Sequence, residues 1–181
     1  EWRLMEPTDF ENARQRVEIE RTAHFEALEK AAQAIRAEMN AKNMLHSGVT
    51  LARIADLCAK GAELRGELVW AILHRVARTA GVRYDAGLAG ELKSFVDEQM
   101  EVGDLRELAI REARRQQNQR VETELLARVD RARERGVARA HNEIDLFASS
   151  LKASNEASAN GSASAAPRWT ATGTAASPMR A

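Results

Sequence analysis

The sequence predicts an all-α protein: long amphipathic helices in a bundle or coiled-coil-like assembly, followed by a disordered C-terminal tail. Three observations carry this. First, the vocabulary is that of long helices, with 34 Ala and with Arg outnumbering Lys by 22 to 5. Second, apolar residues recur at three- and four-residue spacing through most of residues 8–152. Third, aromatics are 4% of the chain and Pro occurs three times in 181 residues, too few for a sandwich or barrel. The expected organisation is a flexible start at 1–7, a helical domain at 8–152 and a tail at 153–181. Residue 1 is Glu and Met5 is a candidate initiator, so residues 1–4 are read as foreign to the mature chain.

The first helix is expected at about 9–46. Thr8 and Glu11 have capping-box spacing behind Pro7. Phe10, Ala13, Val17, His24, Phe25, Leu28, Ala32, Ile35 and Met39 fall within an arc of about 120°, one buried face. Phe25, Leu28, Ala32, Ile35 and Met39 have the spacing of a coiled-coil seam. Ser47 and Gly48 close the block.

The second helix, about 50–80, is the most apolar. Leu51, Ile54, Leu57, Leu64, Leu68, Val69, Ile72, Leu73 and Val76 cover nearly half its surface, which predicts packing against two neighbours. Gly61 and Gly66 each cost about 1 kcal/mol against Ala in a helix interior, a cost that close approach of another helix offsets. Arg65 stands in the apolar arc and, if buried, needs a carboxylate or carbonyl partners. Gly81 closes the helix. A shorter helix follows at about 86–101, capped by Asp85 and carrying Leu88, Leu92, Phe95, Val96 and Met100.

The last helix is expected at about 104–152. Its residues 111–120, REARRQQNQR, hold one apolar residue, yet contain neither Gly nor Pro, so they read as helix. Val137, Ala140, Ile144, Phe147 and Leu151 repeat the seam spacing. At 1.5 Å per residue such a rod is some 70 Å long, which demands that part of it project or pair with another chain. The tail is small and polar; Trp169 is its only large apolar residue besides Met179, read as a lone exposed side chain rather than a docking motif.

Charge and motifs then exclude several function classes. Lys+Arg and Asp+Glu are both 27, so overall basicity does not argue for nucleic acid. The single Cys58 rules out a disulfide framework or a multi-Cys zinc site, and it sits where Cys acts as a small hydrophobe. The longest apolar run in the second helix, residues 68–73, is far short of a membrane span. The pattern His-Glu-x-x-His, the Gly-x-Ser-x-Gly elbow and the phosphate-binding Gly-rich loop are absent, and no Glu-x-x-His pair supports a bundle metal site. No metal, cofactor or enzyme activity is expected. A helix-turn-helix at 49–73 fails because Arg65 falls in its second apolar slot.

The sharpest feature is arginine. Ten Arg face six acids between residues 106 and 139, and Arg128, Arg131, Arg135 and Arg139 form one stripe opposite the apolar face. Glu124 is placed to pair with Arg128; the others need an acidic surface, phosphate or water. The expected function is a non-enzymatic helical interaction or assembly protein, a homo-oligomer or one with a helical protein partner. Its seam would be Phe25, Leu28, Ile35, Met39, Val137, Ile144 and Phe147. The alternative is a nucleic-acid-binding accessory protein using the Arg stripe. The Ala and Arg bias resembles GC-rich bacterial coding, which points to a cytoplasmic setting.

Overall fold

The structure, a computed structural model, describes residues 4–115 and 119–163. These residues form an all-α bundle: α1 (Pro7–Ala41), α2 (Gly48–Thr79), α3 (Leu88–Gln99), α4 (Gly103–Arg115) and α5 (Gln119–Ala163). No helix among them is long and apolar enough to cross a membrane.

Local chemistry sets most of the boundaries. The α1 cap lies two residues before the predicted one: the Glu6 N–H donates to Asp9 Oδ2 at 2.9 Å, with Pro7 at the first helical position. Met5, expected in a flexible start, packs on the core. α1 stops five residues before the expected end because Asn43 turns left-handed (φ 55°) and the Met44 N–H bonds back to Met39 O at 2.8 Å. Ser47 therefore opens the next helix instead of closing the last; its Oγ accepts from the Thr50 N–H at 3.3 Å. α2 ends as predicted at Gly81, φ 64°, with the Val82 N–H on Ala77 O. Before α3, Asp85 Oδ1 accepts from the Gly87 N–H at 2.6 Å.

The predicted rod at 104–152 is two helices. α4 runs back along α5, because Arg106 pairs with Asp130 and Arg114 with Glu122. The polar decapeptide spans the reversal, and its residues 116–118 lie outside the described residues. The physical reason is burial. Leu105, Leu108, Ala109 and Ala113 on α4 and Leu125, Val129 and Ala132 on α5 share one apolar cluster, which a straight rod could not form. The need for a projecting 70 Å helix disappears with it. α5 continues through residues 153–163, where the sequence predicts tail; residues 164–181, Trp169 included, lie outside the described residues.

Cross-helix partners give the directions. α1 and α2 are antiparallel (Glu38 with Arg53, Leu28 over Gly61). α3 and α4 together run parallel to α1 (Arg14 with Glu98, Arg36 with Glu112) and antiparallel to α5 (Lys93 with Asp145). α5 is parallel to α2, pairing Asp56 with Arg128, Gly66 with Gly136 and Trp70 with Phe147. Four rods thus run up, down, up and down, the third being α3–α4 with a break at residues 100–102. α2 packs on all three others, whereas α1 and α5 do not meet.

The pivot is a single turn and a half of α2. At 100° per residue, Gly61, Arg65 and Gly66 point in three directions. Gly61 faces the Leu28 side chain of α1, Gly66 faces the Gly136 backbone of α5, and Arg65 reaches the α3–α4 break. Two apolar clusters lie on either side of this level. One is built around Ile54, Cys58, Leu105 and Leu108, the other around Val69, Leu73, Leu92 and Ile144.

Candidate functional site

The sequence-predicted seam is spent inside the chain. Leu28, Met39 and Ile144 are buried; Phe25 and Ile35 pack on the first cluster and Val137 and Phe147 on the second, each half-buried. The fold-back of α4 onto α5 supplies within one chain the neighbours that the seam was expected to find on another. Leu28, Met39 and Ile144 are thereby closed to a partner, while Phe25, Ile35, Val137 and Phe147 keep part of their surface open.

The arginine stripe is largely matched in charge. Arg128 pairs with Asp56, Arg135 with Glu63 at 3.6 Å, and Arg139 with Glu63 at 2.6 Å and Glu67 at 3.5 Å. These acids come from α2, and Arg128 takes Asp56 where Glu124 was expected. Arg131 alone of the four is exposed with no carboxylate partner among the described residues. The spacing of Asp56, Glu63 and Glu67 reproduces that of the arginines because the two helices run parallel in step.

The most buried charged side chain is Arg65, 1% exposed. Its guanidinium makes a two-pronged bond to Asp104, Nη1 to Oδ1 and Nη2 to Oδ2 at 2.8 Å each, and Nη1 also donates to Glu101 O at 2.5 Å. From α5, Arg133 Nε donates to Met100 O at 2.6 Å. Two arginines from two helices therefore satisfy the carbonyls that the break between α3 and α4 leaves open, and they sit favourably at a helix C-terminus. Burial pushes the Asp104 carboxyl up, but the hydrogen bonds and charge of Arg65 outweigh it and hold it below its usual range. Burial, aided by the charge of Arg65, pushes His24 down, and its Nδ1 has no hydrogen-bond partner among the described residues. Burial also pushes the Cys58 thiol up to about 12, with Asp104 and Glu112 adding to it, so it stays protonated at neutral pH. This constellation is a structural lock: each charged group in it is turned toward another part of the fold.

Around the lock, α1 is tied to α3–α4 by a row of ion pairs: Arg14–Glu98, Arg21–Glu101, Glu29–Arg111 and Arg36–Glu112. Between them opens a groove of about 820 Å³, with Phe25 and Ile110 beside Arg111, Arg114 and Arg115. Among the described residues there is no cluster of three or more His, Cys, Asp or Glu able to hold a metal ion.

Large apolar side chains stay exposed at several places among the described residues: Ile19 (68%) on α1, Leu146 (66%) on α5, and Val49 (49%) and Leu64 (38%) on α2. Because α1 and α5 flank α2 without meeting, the side away from α3–α4 is open. There Leu64 is 38% exposed, and Leu57 and Leu68, seven residues before it and four after, are half-buried on one side of the same face. Along the other edge of the face Trp70 stacks on His74 at 5.1 Å, and Phe147 of α5 meets both edge-on at 5.8 and 4.9 Å. The sequence placed Leu57, Leu64 and Leu68 in the apolar arc. Which third of that arc stays open depends on where three other rods settle, and no local pattern carries that. No protein-family profile, curated protein or solved structure matches this chain.

Proposed function

We propose that the protein is a non-enzymatic helical assembly protein, associating through helix–helix contacts on the open side of α2. One observation carries the reading: Leu64 is 38% exposed on the side of α2 that α1, α3–α4 and α5 leave open, with Leu57 and Leu68 half-buried beside it at helix-pairing spacing. Its contact residues differ from the predicted seam, of which Leu28, Met39 and Ile144 are buried. The arginine stripe gives no support to a nucleic-acid reading, since carboxylates of α2 neutralise three of its four members. The proposed setting is a bacterial cytoplasm, on the strength of the Ala- and Arg-rich composition.

The test is mass in solution. Light scattering over a concentration series is expected to show more than the 20.0 kDa of one chain, and Leu64→Glu to return it to one chain. Circular dichroism of the variant should be unchanged, because the side chain replaced is on the surface. A wild-type mass of one chain at every concentration, or a Leu64→Glu variant that associates like wild type, overturns the reading.

A further inference from the structure

The open side of α2 carries charge as well as leucine, and its pattern says how a second copy would lie on it. Lys60 is exposed, with no ion-pair partner among the described residues. Glu67 is 56% exposed, with only a long contact to Arg139 at 3.5 Å. The two are seven residues apart, two turns on one face, and Leu64 lies between them. A two-fold axis beside Leu64, with the two α2 helices antiparallel, sets Lys60 of each copy opposite Glu67 of the other and the two Leu64 side chains against each other. A parallel arrangement sets Lys60 beside Lys60 and Glu67 beside Glu67, and like charges repel. Glu63 and Asp56, at the edge of the same face, are already neutralised by Arg139 and Arg128 and do not oppose the pairing.

We infer that the protein forms a two-fold symmetric dimer in which the α2 helices of two copies pair antiparallel across Leu64, with Lys60 and Glu67 exchanged between them. An isologous contact of this kind is closed, so assembly stops at two chains. The inference rests on the assembly reading above and adds its partner, direction and register.

Charge reversal tests it on the full chain. Lys60→Glu places two acids opposite each other twice in the dimer, and Glu67→Lys places two bases so. Each is expected to weaken the dimer about tenfold or more in sedimentation equilibrium. The double variant restores opposite charges and is expected to return to within about threefold of wild type, because a rim pair sets specificity more than affinity. Both substitutions are at exposed positions, and unchanged helix content confirms the fold. If wild type associates and Leu64→Glu abolishes it, but the single reversals do not weaken it or the double does not recover, the antiparallel register is wrong and the assembly reading stands. A complex larger than two chains also overturns the inference. A wild-type protein of one chain overturns both.

Discussion

Arg65 shows why a charge persists in an otherwise apolar helix face. Its guanidinium closes the break between α3 and α4, and its hydrogen bonds and charge hold Asp104 below the usual carboxylate range. His24 is pushed down by burial and by Arg65, so the unfolded chain takes up the proton more readily than the folded one. His74 shifts the same way, again chiefly through burial. Stability attached to these groups is therefore present above the ordinary histidine range, near pH 6.5, and is lost as pH falls below it. Asp104 is held below its usual range, so its share persists above the ordinary carboxylate range and is lost only at more acid pH, as its folded form takes up a proton. Urea midpoints are expected to decline in two steps, first below about pH 6.5 and again below about pH 4. His24→Leu should shallow the first step, leaving the part due to His74, and leave the second intact. An equally steep first step in the variant rules out His24 as a source. The sequence exposed half of this: Arg65 stood out as needing a carboxylate. That Asp104 supplies it was not legible, because the two stand 39 positions apart and the chain runs through the rest of α2, a loop, α3 and a break before they meet.

Among the elements, the two glycines of α2 have different roles, and the difference is measurable. A methyl group on Gly66 runs into the Gly136 carbonyl, which is backbone of α5 and cannot step aside. A methyl on Gly61 meets only the end of the Leu28 side chain, at 2.6 Å, which can change rotamer. Gly66→Ala is expected to cost about 3 kcal/mol in chemical unfolding, the upper range for overpacking. Gly61→Ala should stay within about 1 kcal/mol of wild type, since better helix propensity offsets the leucine's adjustment. Equal costs would mean that the helices do not touch backbone to backbone. Close approach at these glycines was legible, because Gly in a helix interior is costly without such a reason. The start of α1 and the α4–α5 reversal were not. Glu6 and Asp9 cap through a reciprocal bond that a Thr8–Glu11 spacing imitates, and the reversal has no Gly or Pro to mark it. Burial of Leu105, Leu108 and Ala113 decides it, and burial is a property of the assembled bundle.

Viewed as one molecule, the bundle has two apolar clusters with the Arg65 level between them. Ile54 belongs to one and Ile144 to the other, each fully buried. Ile54→Val and Ile144→Val are each expected to cost about 1 kcal/mol. With no shared neighbours, the double variant should equal the sum within about 0.5 kcal/mol. A larger coupling would show that the two halves repack together. The parallel alignment of α2 and α5 has a kinetic consequence. α1 and α2 meet across a six-residue connection, residues 42–47, whereas Gly66 finds Gly136 only after the rest of α2, α3, α4 and the first part of α5 have been laid down. Closing so long a loop comes before any reward from the contact. A newly made chain is therefore expected to form the α1–α2 hairpin first, with the α5 side of α2 uncovered until α5 arrives, and that nascent form would be the one most exposed to wrong company.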